Sequence, residues 1–115
     1  MHKDWTEITK TLSTLMGQVR QGSPEVAKGF SQMAQGSTQE GALSTKHKEL
    51  MAVAISIAVR CDGCIGFHVK AALQHGATRE ELMEVIGLAV YMGGGPSFVY
   101  GAQALEAFDQ FSGAS

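Results

Sequence analysis

Two cysteines spaced three residues apart are the residues of this chain best suited to chemistry. Cys61 and Cys64 enclose the dipeptide Asp62-Gly63, and the apolar pattern after them predicts that this run opens a helix. Unpaired N–H groups and the helix dipole stabilise a thiolate at such a position, which lowers its pKa. The spacing therefore predicts a dithiol that attacks an oxidised substrate with one sulfur and closes a disulfide with the other.

A histidine and a glutamate are spaced so that they could serve these cysteines. His68 follows Cys64 by four residues, so the two share one helix face and the imidazole can take or return a proton. Glu49 precedes Cys61 by twelve residues. An antiparallel pairing of the helices on either side of Cys61 would place Glu49 at the depth of His68. We expect Glu49 to orient the histidine as part of a proton relay.

Other interpretations of the same residues stand beside this one. The two thiols could be buried and inert, and Glu49 could be an ordinary surface charge because Lys46 and Lys48 lie next to it. Zinc is a further alternative. The cysteine pair and His68 would supply three ligands, whereas a closed structural zinc site needs four and the chain has no other cysteine.

The elements that must position these residues are all predicted to be helices. We find no sustained period-2 alternation, and apolar residues recur at three- and four-residue steps. Four methionines fall on apolar faces and are predicted to fill the core: Met33, Met51, Met83 and Met92. Glycines, prolines and capping signals divide the chain into six helices. Their predicted ranges are 5–19, 24–36, 45–59, 64–74, 79–92 and 96–111.

The second half of the third predicted helix suggests an oligomer. Residues 52–59 are apolar on nearly every side, which is typical of a helix buried on most faces. A chain of 115 residues has difficulty surrounding a helix completely, so part of this burial is expected to come from another copy of the chain.

Length, charge and hydropathy narrow the class of protein. A length of 115 residues predicts one domain, 1–115. The net charge of -2 and the absence of a basic run predict no nucleic-acid partner. The longest apolar run, 50–59, is about half the ~20 residues of a membrane span, and no signal-peptide pattern precedes it. We therefore expect a cytoplasmic protein with no membrane partner, in which a C-x-x-C pair is catalytic or metal-binding rather than structural.

Taken together, the spacing E-x11-C-x2-C-x3-H resembles the alkyl hydroperoxidase D-like proteins of the carboxymuconolactone decarboxylase superfamily. The similarity extends from about Leu43 to Phe111. It includes the runs Cys61-Asp62-Gly63-Cys64-Ile65-Gly66-Phe67-His68, Gly76-Ala77-Thr78-Arg79-Glu80-Glu81 and Met92-Gly93-Gly94-Gly95-Pro96.

This resemblance implies an all-helical bundle that assembles as a homo-trimer or homo-hexamer. It implies that Cys64 is the peroxidatic nucleophile and passes through a sulfenic acid, and that Cys61 is the resolving partner and proton donor. It also implies that Glu49 and His68 form the proton relay. One position departs from the pattern, because Gly63 stands where the founding proteins carry a histidine.

The resulting expectation is a stand-alone antioxidant enzyme that reduces peroxides or disulfides. Its partners would be the oxidised substrate and an unidentified external thiol reductant, and it would need no bound cofactor. Two other functions stay open at this point. One is a lactone decarboxylase, a lyase that does not depend on the cysteine pair, and the other is a non-enzymatic oligomeric redox sensor.

Overall fold

The computed structural model describes residues 1–113, and within this range the chain forms six helices and no strand. The all-helical prediction is confirmed, and the largest difference in a helix end is at the first helix, which continues to residue 22 rather than 19. Ala114 and Ser115, the end of the predicted single domain, lie outside the described residues. None of the helices in residues 1–113 is long and apolar enough to cross a membrane. The helices are α1 (Trp5–Gly22), α2 (Pro24–Thr38), α3 (Thr45–Ala58), α4 (Asp62–Gln74), α5 (Arg79–Gly93) and α6 (Gly95–Ser112).

The core lies between the last four helices, and the start of α1 packs onto it. Trp5 is fully buried, and its indole N–H donates to the Glu106 carboxylate at 2.9 Å. This contact fixes the first turn of α1 against α6. The buried core residues, from α1 and from α3 to α6, are Trp5, Val53, Ile57, Ile65, Val69, Leu82, Ile86, Ala89, Ala104, Ala107 and Phe108.

The helix α2 and one face of α3 leave apolar side chains exposed. No residue of α2 is buried, and Phe30 is 62% exposed. On α3, Val53 and Ile57 are fully buried, whereas Ile55 is 62% exposed. Within a single chain, α3 is therefore buried on one side only. The prediction that a second copy covers the other side stays a prediction.

The methionines do not fill the core as the sequence predicted. They lie on apolar faces, but these faces are open to solvent in the single chain. For this reason, all four methionines that were named from the sequence are exposed: Met33, Met51, Met83 and Met92.

Two glycines allow α1 to approach α4 closely. A Cβ atom at Gly66 would lie 2.7 Å from the Thr9 Cγ2 atom, and one at Gly63 would lie 2.8 Å from the Leu12 Cδ1 atom. Carbon atoms in van der Waals contact are about 3.5–4.0 Å apart. The missing side chains thus make room for α1 over the first turns of α4, where the two cysteines lie.

Candidate active site

The two cysteines lie at the start of α4 and are joined by a disulfide, with their Cα atoms 5.2 Å apart. Cys61 is the N-cap residue, and its Sγ atom accepts a hydrogen bond from the N–H of Cys64 at 3.2 Å. A thiolate formed at Cys61 on reduction would keep this donor and the positive end of the helix dipole. Among residues 1–113, no three His, Cys, Asp or Glu side chains form a group that could hold a metal ion.

A tight turn brings α3 and α4 together as an antiparallel hairpin. Cys61 donates its N–H to the carbonyl of Ser56 at 3.1 Å, and Arg60 donates to the carbonyl of Ile57 at 3.2 Å. Arg60 is the one residue other than glycine with a positive φ, 59°, among those the structure describes. A side chain in this region costs about 1 kcal/mol or more. This conformational free-energy cost falls on Arg60, the residue directly before the cysteine pair.

The hairpin places the predicted relay residues in contact. The Nδ1 atom of His68 lies 2.7 Å from the Oε1 atom of Glu49. The Glu49 side chain is only 9% exposed, whereas that of His68 is 38% exposed. Glu49 is therefore not the surface charge considered as an alternative. With Nδ1 directed to a carboxylate, the Nε2 atom of the neutral ring is the proton acceptor.

The lysines next to Glu49 in the sequence bind elsewhere. The Lys46 ammonium contacts the Glu81 carboxylate at 2.9 Å, and Lys48 donates to the carbonyl of Gln39 at 2.8 Å. Hydrogen bonds from Lys46 and from the backbone of Thr78 hold the pKa of Glu81 below its ordinary value. His68 is thus the side chain that pairs with Glu49 in this hairpin.

Gly63, the position that departs from the pattern of the proteins that the chain resembles, lies closely against α1. A Cβ atom at Gly63 would already lie 2.8 Å from Leu12 on α1. A side chain at position 63 would therefore require the Leu12 side chain to move.

An ion pair that sequence reasoning missed joins the amino-terminal segment to the cysteine motif. The Lys3 Nζ atom lies 2.6 Å from the Oδ2 atom of Asp62, the first residue of α4, and 2.5 Å from the Oε1 atom of Gln103. From the sequence, Asp62 appears only as a helix N-terminal residue. No local pattern links it to Lys3, because the two residues are 59 positions apart.

Helix α6 holds the amino-terminal segment in place. The Glu106 carboxylate accepts hydrogen bonds from the N–H groups of His2 and Lys3 at 2.6 and 3.0 Å and from the indole of Trp5. Partial burial by itself raises the pKa of Glu106. The hydrogen bonds from His2, Trp5 and Lys3 outweigh this effect, so the pKa of Glu106 lies below its ordinary value.

This lowered pKa predicts that acid weakens the attachment of the segment. A carboxyl with a depressed pKa in the folded state contributes stability above its unfolded pKa, about 4.3, and loses it as the pH falls through the folded pKa. We expect Glu106→Gln to lower the melting temperature near pH 7, and the difference from wild type to shrink below about pH 4. Thermal unfolding across this range, with the exposed Glu80→Gln as control, tests this. A difference that is independent of pH would contradict it.

His68 also lines an open groove of about 750 Å³ between α2 and α3. Most of the groove wall is apolar, and Lys48 lies among the lining residues. The large apolar side chains that line the groove are those of Phe30, Met33, Leu43, Met51 and Ile55. His68 is therefore accessible from a surface that suits an apolar group.

Comparison with known proteins identifies the family of this chain. The model of the carboxymuconolactone decarboxylase family matches residues 24–107. The chain belongs to the carboxymuconolactone decarboxylase family. The resemblance inferred from the cysteine, glutamate and histidine spacing is thus confirmed, and the matched residues include all four candidate site residues.

Solved structures of carboxymuconolactone decarboxylase family proteins share the fold. A family protein from Legionella pneumophila, crystallised in its apo form, is 52% identical with a TM-score of 0.92, covering 94% of this chain and 96% of that chain. A family protein from Thermotoga maritima, described as a candidate for a role in an antioxidative response, is 26% identical with a TM-score of 0.78, covering 95% and 97%. An uncharacterized protein from Cupriavidus necator is 39% identical over 104 residues, 90% of this chain and 91% of the relative.

Proposed function

We propose that this carboxymuconolactone decarboxylase family member is a dithiol oxidoreductase that reduces organic hydroperoxides or disulfides through Cys64 and Cys61. The observation that carries the proposal is the closed cysteine pair one helical turn before a histidine that is held 2.7 Å from a buried carboxylate. A dithiol that cycles through a disulfide reacts as its thiolate, and a base of this kind can form that thiolate. The antioxidative role suggested for the Thermotoga maritima relative supports the same assignment.

In the first step, His68 accepts the proton of the Cys64 thiol at Nε2, and the carboxylate of Glu49 stabilises the imidazolium that forms. The Cys64 thiolate attacks the terminal oxygen of the hydroperoxide. An S–O bond forms, the O–O bond breaks, and the electron pair leaves with the alkoxide. The alkoxide takes the proton from His68 and departs as an alcohol, so Cys64 is left as a sulfenic acid.

In the second step, the Cys61 sulfur attacks the Cys64 sulfur. The S–S bond forms, the S–O bond breaks, and the hydroxide leaves as water with the proton from the Cys61 thiol. The two thiols are oxidised by two electrons, and the hydroperoxide is reduced to an alcohol and water. With a disulfide as substrate, Cys64 forms a mixed disulfide instead, and Cys61 resolves it by the same attack.

An external thiol must then restore the dithiol. Its thiolate attacks the Cys64 sulfur, the Cys61–Cys64 bond breaks, and Cys61 departs as a thiolate that retains the hydrogen bond from the Cys64 N–H. A second thiolate of the reductant then attacks the reductant sulfur of the mixed disulfide, so that Cys64 departs as a thiolate and the reductant leaves as a disulfide. A thiol of lower pKa is the better leaving group. The N-cap position of Cys61 therefore supports its role as the resolving residue. We take the reducing cytoplasm as the compartment in which such a reductant acts.

We also propose that the active form is a homo-trimer or homo-hexamer. The exposed apolar side chains on α2 and on one face of α3, such as Phe30 and Ile55, support this proposal. A second copy packed on these helices would remove apolar surface from water, and each Å² so removed contributes roughly 25 cal/mol. The groove beside His68 is formed by the same two helices, α2 and α3. We therefore propose that a second copy of the chain packs next to this groove.

One measurement tests the proposed chemistry directly. The fully reduced protein is treated with one equivalent of cumene hydroperoxide, and its free thiols and intact mass are compared before and after. We expect the loss of both thiols and of the mass of two hydrogen atoms, and continued peroxide consumption when dithiothreitol is present. The Cys61→Ser/Cys64→Ser double variant is the control and should consume none.

The family match also favours a second candidate, a lactone-decarboxylating lyase. Such an enzyme would not depend on the cysteine pair. If the thiols of the wild type resist both cumene hydroperoxide and disulfides, and the double serine variant still decarboxylates carboxymuconolactone, the lyase replaces the dithiol proposal. A single oxidation without turnover under dithiothreitol would instead indicate a redox sensor.

A further inference from the structure

We infer that Lys3 is a positioning residue that makes the cysteine pair more reactive by neutralising the Asp62 carboxylate. The inference rests on the proposed role of the pair as a working dithiol. Asp62 lies directly after Cys61 and two residues before Cys64, and its Oδ2 atom is 2.6 Å from the Lys3 Nζ atom. Both side chains are partly buried, with 27% of Lys3 and 39% of Asp62 exposed.

An unpaired carboxylate at this position would work against the thiols. A like charge nearby disfavours the thiolate form of either cysteine and raises the thiol pKa. Asp62 also lies in the first turn of α4. Its carboxylate and a thiolate would both be stabilised by the partial positive charge at the start of the helix, so the two anions would compete for it. An ammonium group bound to the carboxylate neutralises its charge and so removes the repulsion. The positive end of the helix dipole can then stabilise the thiolate.

The ammonium group is held far more firmly than that of an ordinary surface lysine. The Lys3 backbone N–H donates to Glu106, and its carbonyl accepts a hydrogen bond from the Gln110 side chain at 2.7 Å. Lys3 Nζ also donates to the buried Gln103 amide oxygen. Exposed ion pairs are weak partly because ordering two long side chains costs entropy. Here the surrounding contacts have already ordered the lysine.

The other charged groups near the motif do not replace this ion pair. Glu49 is paired with His68 on the α3 side of the motif, and Glu106 binds the amino-terminal segment through its N–H groups. Arg60 precedes Cys61 and is exposed. Lys3 is therefore the cation that contacts the carboxylate within the C-x-x-C run.

The predicted consequence concerns both the thiolates and the reduction potential. Stabilising a thiolate favours the reduced dithiol, which makes the disulfide more oxidising. Lys3→Met should raise the lowest thiol pKa and shift the equilibrium with glutathione toward the disulfide by about three- to tenfold. Asp62→Asn should change both quantities much less than Lys3→Met does, because the carboxylate that it removes is already neutralised by Lys3.

The experiment measures thiolate ultraviolet absorbance against pH, and equilibrium oxidation in glutathione buffers, for wild type, Lys3→Met, Asp62→Asn and the double variant. In the Asp62→Asn background, Lys3→Met should have less than about half of its effect, because little charge is left to neutralise. Lys3→Arg, which keeps the positive charge, should leave the thiol pKa and the oxidation equilibrium close to those of the wild type. Lys28→Met, an equal change of charge on an exposed residue of α2, is the matched control and should change neither quantity.

Equal effects of Lys3→Met in the two backgrounds would overturn the inference, as would unchanged pKa and oxidation equilibrium. Thermal unfolding of each variant separates a loss of fold from a change in the thiols. Neither readout requires turnover. A wild type that does not reduce peroxide but shows the Lys3 effects would refute the proposed function alone, whereas an active enzyme without these effects would refute the inference alone.

Discussion

Cys64→Ser should abolish hydroperoxide reduction, with a fall in kcat/KM of at least about 10³-fold. Serine at this position keeps the size of the side chain but offers no thiolate at neutral pH, so no S–O bond forms. Cys61→Ser should behave differently. Its Cys64 sulfur should still react once with peroxide, but the sulfenic acid should persist because no second sulfur lies within reach.

Single-turnover kinetics and dimedone trapping distinguish the two variants. After one equivalent of cumene hydroperoxide, Cys61→Ser should carry one dimedone adduct at Cys64, while Cys64→Ser should carry none. Wild type should carry little, since Cys61 closes the disulfide first. An adduct at Cys61 in the Cys64→Ser variant, together with an unreactive Cys61→Ser variant, would reverse the two roles.

Removing the relay should have the second largest effect, about 10²- to 10⁴-fold in kcat/KM for His68→Gln. The imidazole both accepts the thiol proton and returns it to the alkoxide, and glutamine does neither. Glu49→Gln keeps a side chain of the same shape at 2.7 Å from Nδ1 but removes the charge that stabilises the imidazolium. We therefore expect a smaller loss for Glu49→Gln, with a changed dependence of the rate on pH.

The double variant tests whether the two residues act as one unit. Because Glu49 acts through His68, Glu49→Gln should add little to the loss caused by His68→Gln. The pH–rate profile is the readout that a merely structural role would not change. His75→Gln serves as the control, because His75 is exposed at the end of α4 and its Nδ1 atom contacts the carbonyl of Ala71. Fully additive losses with unchanged pH profiles would contradict the relay.

Helix positions and the core of the candidate site could be predicted from the sequence, because they depend on local signals. Apolar spacing, capping residues and glycines act over a few positions, so six helices and their approximate ends follow from them. The contact of Glu49 with His68 also follows from a feature that is local in the sequence, the turn between α3 and α4. A tight turn at Cys61 forces the two adjoining helices to run antiparallel, and equal depth then follows from helix geometry.

The methionines show where a local pattern is insufficient. Periodicity identifies the apolar face of a helix but not what covers it, so Met33 and Met51 were predicted to fill the core. In the chain, α2 has no buried residue, and the outer face of α3 is open. Whether such a face is covered depends on the arrangement of whole helices and of other copies, which no window of sequence contains.

The sequence by itself determined the helices, the family and the place of the C-x-x-C pair at a helix start, since these rest on residues that are close along the chain. Only the tertiary structure decided what surrounds the pair. Leu12 of α1 lies against Gly63, and Lys3 contacts Asp62 although the two residues are 59 positions apart. Both contacts arise because Trp5 buries the start of α1 against the core, which brings the amino-terminal segment to α4 and α6.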